Sequence, residues 1–189
     1  MRKKLLLMAL IALWTFQGNS QIRTKGANYL EFIGGTPLLL DNGAFTTQAG
    51  EGIYGLSYAI GSIRGNYHRL NFSYRKEFVK SLNTLSQASN YENFVLKYSY
   101  ESTLTKGKNH LSYLGLLYGL GVGIENLNHS YNTNLQSSTA YPLATLGLNF
   151  EKFLGTSVAL FIRVDGDATM MAISQKLKGN AGIGLKVKL

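Results

Sequence analysis

Three charged side chains on one predicted strand come nearest, in type and spacing, to a chemical site. Asp165 and Asp167 are two positions apart and share a face with Arg163, since alternate residues of a strand point the same way. Two neighbouring carboxylates can act as an acid and base pair. Because no histidine or nucleophile accompanies them, we favour an interior salt-bridge set over an active site. We therefore predict that the protein is not an enzyme and has no catalytic residues.

Residues that could bind a metal or a phosphate are scattered along the chain. His68, His110 and His129 fall on a predicted strand end, in a turn and in a loop, so they share no face. Residues 119–123, GLGVG, resemble a phosphate-binding loop but lack the strand-to-helix context and a following lysine. The sequence has no Cys, which excludes a thiolate metal site and a disulfide framework. We expect no metal, no cofactor and no small-molecule substrate.

The elements that must position these side chains are strands. Within residues 110–125, HLSYLGLLYGLGVGIE, the central positions 114–124 carry large apolar groups at even numbers and, apart from Leu117, glycine at odd numbers. Strict alternation predicts a strand, because successive side chains leave a pleated backbone on opposite faces. A helix is disfavoured, since each interior glycine would cost about 0.5–1 kcal/mol relative to alanine. The stretch is therefore a strand with one wide apolar face and one narrow face.

Seven other segments show the same period of two. The eight predicted strands span residues 27–33, 52–60, 66–77, 91–104, 110–125, 140–153, 157–167 and 182–189. Long connections alternate with short ones, as in membrane barrels with long loops at one rim and short turns at the other. The fold class is therefore all-β, and the predicted architecture is an eight-stranded antiparallel up-and-down transmembrane β-barrel.

The choice of outward face separates a membrane barrel from a soluble one, because the alternation is the same in both. The apolar face is nearly free of charge, as a bilayer midplane requires. The polar face carries charges of both signs, which can pair in a confined interior. We therefore predict that the apolar face meets lipid. The predicted lumen charges are Glu31, Arg69, Arg75, Glu77, Lys97, Glu101, Glu151, Arg163, Asp165, Asp167, Lys186 and Lys188. The predicted aromatic girdle at the strand ends is Tyr67, Tyr91, Tyr100, Tyr113, Tyr141 and Phe153.

The first twenty residues have the pattern of a cleaved signal peptide. Residues 2–4 are basic, residues 5–16 are apolar, and residues 18–20 form a small-x-small site before Gln21. We predict a signal peptide at 1–20, a barrel domain at 21–189 and export to the outer membrane. Without residues 1–20, the net charge falls from +9 to +6, with 16 Lys and Arg against 10 Asp and Glu. The cations are spread along the sequence, so we expect no sequence-specific nucleic-acid binding.

Five stretches spread over the whole chain carry a family resemblance. They are the basic start at 2–4, the mature start at 21–23, the glycine-rich run 115–128, the segment 144–153 and the close at 182–186. With these, the chain resembles the conjugative transposon protein TraO family of Bacteroidota. The resemblance implies a non-enzymatic outer-membrane component of a conjugative DNA-transfer apparatus, whose partners are outer-membrane lipid and other conjugation-apparatus proteins. The alternative is a general small outer-membrane barrel, a surface-binding protein or narrow pore, with no role in conjugation.

Overall fold

The described residues form nine antiparallel strands. The computed structural model describes residues 23–41, 44–46, 52–80, 88–129, 136–170 and 177–189, so the predicted signal peptide at 1–20 lies outside the described residues. The strands are β1 (Asn28–Asp41), β2 (Ala44–Thr46), β3 (Ile53–Gly61), β4 (Tyr67–Lys80), β5 (Ala88–Lys106), β6 (Ser112–His129), β7 (Gln136–Phe153), β8 (Val158–Thr169) and β9 (Leu177–Lys188).

Eight of these strands close into a barrel. Each strand from β3 to β9 pairs antiparallel with the next, and β1 pairs with both β3 and β9, which removes both sheet edges. The three-residue β2 pairs with the end of β1 as a small extension. The predicted eight-stranded up-and-down barrel is therefore confirmed. Within the described ranges, no helix has the length and apolar character needed to cross a membrane.

The two rims of the barrel differ. Short connections at residues 62–66, 107–111 and 154–157 lie at the same end as the start of β1 and the end of β9; we call this end the short-turn rim and the opposite end the far rim. Strand β5 has 19 residues, and β6 and β7 have 18 each. A membrane strand needs about 9–11 residues. The surplus length therefore projects at the far rim.

Two predicted strand ends are wrong by five residues or more. Strand β1 continues past residue 33 to Asp41 and includes Pro37, which pairs with Asn180 of β9. Strand β3 reaches only as far as Gly35 along β1, so no described strand residue pairs with Pro37 on that side, and a missing N–H is tolerated there. Strand β9 begins at Leu177 rather than at residue 182. Both errors have one physical cause: Gly and Pro near these ends favour loops by residue type, and the pairing between β1 and β9 overrides that preference.

The glycine face of β6 points inward and is filled by its neighbours. A Cβ atom at Gly115 would lie 2.5 Å from the Glu101 carboxyl group, and one at Gly123 would collide with the Tyr141 ring. These close approaches explain why glycine occupies the narrow face predicted from the alternation. The glycines make room for long side chains that arrive from the adjacent strands β5 and β7.

Candidate functional site

The outward surface of the barrel is a belt of large apolar side chains. Leu120 is 69% exposed, Ile183 65% and Tyr54 64%. A water-soluble barrel turns such residues inward, and an apolar surface of this extent marks contact with a membrane or a partner. The prediction that the apolar face of the strands points outward is confirmed. The belt comprises Phe32, Tyr54, Leu56, Tyr58, Ile60, Leu70, Phe72, Phe94, Leu96, Tyr98, Tyr118, Leu120, Val122, Ile124, Leu146, Leu148, Phe150, Leu160, Ile162, Val164, Ile183 and Leu185.

The lumen near the short-turn rim is filled by one connected set of ion pairs, the short-turn network. Glu31 lies at its centre, where it accepts hydrogen bonds from Arg69 Nε at 2.9 Å and from Arg163 Nη2 at 2.6 Å. Lys186 Nζ is 3.0 Å from Glu31 and also pairs with Glu151. The network consists of Arg23, Glu31, Arg69, Glu101, Glu151, Arg163 and Lys186.

Arg23 belongs to this network although it lies outside the barrel strands. It precedes β1, yet its side chain is buried, with Nη2 at 2.8 Å from Glu101 and 3.1 Å from Glu151. Nη1 donates to the Gly65 carbonyl and the Thr103 hydroxyl, both at 3.0 Å. Burial lowers the pKa of the Arg23 guanidinium, but Glu151 and Glu101 outweigh it and the pKa is raised above its ordinary value. The N-terminal segment is therefore anchored across the lumen.

Aromatic rings close the lumen around Arg23. Its guanidinium lies 4.5 Å from the Tyr67 ring centre and 4.2 Å from that of Tyr113. Tyr29 packs edge-on against Tyr67 at 5.4 Å and against Phe153 at 6.4 Å. These rings are buried, and together with the guanidinium they close the barrel at the short-turn rim.

The predicted aromatic girdle is wrong for five of its six members. The inward-pointing members occupy odd-numbered positions, which the strand register directs into the lumen regardless of how near the strand end they lie. Tyr100 faces outward, where its hydroxyl accepts a hydrogen bond from Asn66 Nδ2 at 2.7 Å. The five inward-pointing, buried members are Tyr67, Tyr91, Tyr113, Tyr141 and Phe153.

The three residues that suggested chemistry are divided between two sets of partners. Arg163 binds Glu31, whereas Asp165 and Asp167 pair with Lys97 Nζ at 3.4 and 3.1 Å. Asn180 Nδ2 donates to both aspartates, at 2.6 and 3.2 Å. Arg75 Nη1 donates to Asn180 Oδ1 at 3.0 Å. We call the set of Arg75, Lys97, Asp165, Asp167 and Asn180 the far network.

A second cluster lies beside the far network, nearer to the far rim. Lys178 Nζ is 2.8 Å from Glu125 and donates to the hydroxyl groups of Tyr91 and Tyr141 at 2.6 and 3.2 Å. Tyr141 in turn donates to Asn93 Oδ1 at 2.7 Å. The cluster links β5, β6, β7 and β9 across the barrel.

A cavity of about 40 Å³ opens beside the far network. This volume holds a few water molecules rather than an organic substrate. Its lining combines aliphatic groups, among them Ile33 and Val95, with polar side chains of both charge signs, and the polar side chains give water partners beside the ion pairs. The lining includes Asn71, Arg75, Lys97, Asp165, Asp167 and Lys178.

Most of the predicted lumen charges face inward, with two exceptions. The side chain of Glu77 lies outside the described part of the chain, and Lys188 is half-buried at the rim. Three members of the lumen were missed. Glu125 is the last residue of the predicted strand 110–125 and lies at an inward position of β6, so the register alone could have found it. Lys178 precedes residue 182, where the last predicted strand begins. Arg23 precedes the first strand, and nothing in the period of the sequence points to it.

The three histidines are not brought together by the part of the chain that the structure describes. His68 faces outward, with Nδ1 2.5 Å from the Tyr98 hydroxyl. His110 lies in the turn between β5 and β6 with a φ of 54°, and the side chain of His129 is outside the described residues. The absence of a metal, a cofactor and an active site stays a prediction.

Comparison with known proteins identifies the fold. No family model and no curated protein sequence matches the chain. The outer membrane protein Ail of Yersinia pestis, its attachment invasion locus protein, is similar with a TM-score of 0.60 at 8% identity, over 88% of this chain and 100% of that one. Neisserial surface protein A gives 0.63 at 10% identity, over 87% and 100%. The chain therefore has the fold of small outer-membrane barrels, a closed, all-antiparallel, eight-stranded up-and-down β-barrel.

Proposed function

We propose that this protein is a non-enzymatic outer-membrane barrel that acts through its rims and loops and not through its lumen. The observation that carries the proposal is the difference in polarity between the outer and inner surfaces of the barrel. The outward belt is apolar on every barrel strand, while the charged side chains of the described strands are concentrated inside. This arrangement is stable in a lipid bilayer. Ion pairs take the place of water inside the barrel, and lipid takes the place of water outside it.

The filled lumen argues against a pore. The short-turn network draws side chains from β1, β4, β5, β7, β8 and β9 into one connected set. An eight-stranded barrel has an interior just wide enough for its own side chains. DNA and other polymers therefore cannot pass through one copy, and an ion path would require the ion pairs to separate.

Conductance across a planar bilayer tests this proposal. The mature chain, folded in neutral detergent, should migrate faster on an unheated gel than after boiling, as closed barrels do. Insertion of that folded material should give no sustained ionic current. Steady channels of uniform conductance from the same preparation would contradict the closed lumen. Passage of double-stranded DNA through single copies would contradict it more severely.

A role in conjugative transfer is a second candidate, which the resemblance to the TraO family favours. Under this candidate, the far rim and the loops contact other proteins of the transfer apparatus. Deletion of the gene should lower the conjugation frequency, and the intact gene supplied separately should restore it. An unchanged frequency would favour the general barrel without a transfer role. Inspection of the neighbouring genes is a simple further test, and other transfer genes beside this gene would strengthen the candidate.

Export by a cleaved signal peptide is part of the proposal. The pattern at residues 1–20 places the cleavage before Gln21. N-terminal sequencing of protein taken from the outer-membrane fraction should begin at Gln21. A chain that retains residues 1–20 in that fraction would contradict the predicted boundary.

A further inference from the structure

Exposed positive charge is concentrated at the short-turn rim. Six cations lie in its turns and strand ends, exposed to solvent or, for Lys188, half-buried. Their placement is uneven relative to the rest of the surface, because the charges of the described lumen are largely paired with one another. The six residues are Lys25, Arg64, Lys106, Lys108, Lys152 and Lys188.

No acidic side chain compensates these cations among the residues that the structure describes at this rim. Six acidic side chains lie in the lumen and face lumen cations or hydrogen-bond donors. Glu92 lies on the outward face towards the far rim, where it accepts a hydrogen bond from Tyr74 at 3.2 Å. Asp41 and Glu77 belong to strand portions near the far rim. The positive field at the short-turn rim is therefore uncompensated locally.

The position of the rim cations relative to apolar residues indicates what they meet. Arg64 directly follows Ile63, which is 57% exposed, and Lys188 precedes Leu189, which is 70% exposed. Lys152 is the next outward-facing residue of β7 after Phe150, in the direction of the short-turn rim. Lys and Arg at such an apolar edge lay their stems along the hydrocarbon and extend their charges into the headgroup layer.

We propose that the short-turn rim binds the phosphate groups of anionic phospholipids in the periplasmic leaflet, and that this contact sets the depth and direction of the barrel. The inference rests on the proposed function, because the apolar belt must lie in a membrane to bring the rim to the headgroups. An anionic surface attracts each nearby Lys or Arg through its negative potential. A ring of six such cations favours phosphatidylglycerol over a zwitterionic lipid.

A nucleic acid is the competing polyanion, and the geometry favours it less. Nucleic-acid surfaces carry cations along a continuous groove or stripe, often with aromatic platforms for the bases. Here four aromatic rings of the short-turn end, Tyr29, Tyr67, Tyr113 and Phe153, point into the lumen and are buried. The exposed chain neighbours of Arg64 and Lys188, Ile63 and Leu189, are aliphatic, and aliphatic groups bind acyl chains and not bases.

Lipid retention by the folded barrel tests the proposal. The mature chain in neutral detergent would be mixed with equal amounts of phosphatidylglycerol and phosphatidylcholine, and the lipids that remain bound would be counted by native mass spectrometry. We expect phosphatidylglycerol to be retained about tenfold over phosphatidylcholine, with the preference falling at high salt. No preference, or a preference independent of salt, would overturn the proposal.

Matched variants locate the effect. Lys106→Gln with Lys152→Gln removes two cations from the short-turn rim and should reduce the preference to about twofold or less. Lys76→Gln with Lys80→Gln removes two cations from β4 towards the far rim and should leave the preference unchanged. Equal loss in the two pairs would mean a general charge effect and would overturn the assignment to the rim. If the rim pair misfolds, Lys108→Gln, in an exposed turn, should lower the preference alone.

The experiment separates this inference from the proposed function. A chain that forms no heat-modifiable barrel in detergent, or that retains neither lipid, would contradict the membrane barrel itself. A folded barrel that retains both lipids equally would contradict the rim inference alone. A single-stranded oligonucleotide that displaces phosphatidylglycerol from the wild-type chain, and does not from the rim pair, would overturn the lipid assignment in favour of a nucleic acid.

Discussion

The two halves of the lumen use the same chemistry in different surroundings. In the short-turn network, the side chains of Arg23, Arg69 and Glu101 are at most 1% exposed, and aromatic rings cover them. In the far network, Lys97 and Asp165 keep 9% and 10% of their side-chain surface exposed beside the cavity. One half is sealed by protein, whereas the other is open to a few water molecules.

This difference predicts which ion pairs the barrel depends on. Removing one partner from a dry ion pair strands a charge that nothing else can solvate. Removing one partner from a pair beside a cavity of water-molecule size lets water take its place at a smaller cost. Removing an ion-pair partner in the short-turn half should therefore lower the free energy of unfolding more than removing one in the far half.

The largest effect is expected at Arg69. Arg69→Ala removes the cation that bridges Glu31 and Glu101, at 2.9 and 2.5 Å, and leaves both carboxylates with fewer partners in a dry site where water cannot replace the lost guanidinium. The free energy of unfolding should fall by about 3–5 kcal/mol, measured by urea unfolding from lipid vesicles. A loss below about 1 kcal/mol would show that the short-turn half is hydrated after all and would remove the contrast between the halves.

An intermediate effect is expected at Arg23. Arg23→Ala releases the N-terminal segment and leaves Glu101 and Glu151 with their remaining partners Arg69 and Lys186. The free energy of unfolding should fall by about 1–3 kcal/mol. Lys25→Ala, two positions along on the exposed part of the same segment, is the control and should have no measurable effect. Equal results for the two variants would contradict the anchoring role of Arg23.

The smallest of the three effects is expected at Lys97. Lys97→Met removes the cation that pairs with Asp165 and Asp167, but Asn180 still donates to both and the cavity admits water. The free energy of unfolding should fall by about 1 kcal/mol, in the same vesicle assay. A loss as large as that of Arg69→Ala would mean that the far half is sealed too, and the comparison would fail.

The sequence predicts the faces of the strands well because the period of two is set by the backbone itself. The apolar series of β6 and β8 points outward as the alternation requires, and Glu31, Lys97 and Glu151 point inward. The register argument succeeds wherever both faces have distinct composition. It also identifies which residues are candidates for ion pairs, although it cannot say which cation meets which carboxylate.

The sequence predicts less where position along the barrel matters. Arg163 lies two residues from Asp165, yet it reaches Glu31 on β1, because the pairings depend on how the strands are staggered around the closed barrel. The alternation alone would allow a serine at Gly115 on the narrow face, whereas the Glu101 side chain occupies the space that a Cβ there would need. Gly34, with open space beside it, is the glycine where such a change should be mild.

The orientation of the two faces is tested most directly by spin labels on single cysteines, which the absence of natural Cys permits. A nitroxide at Leu120→Cys, in barrels reconstituted into vesicles, should collide readily with dissolved oxygen and rarely with a water-soluble nickel complex. One at Ser57→Cys, which replaces a buried lumen residue, should be shielded from both. A label at position 120 that collides freely with the nickel complex, or that is immobilised inside the protein, would contradict the assignment of the apolar belt to lipid.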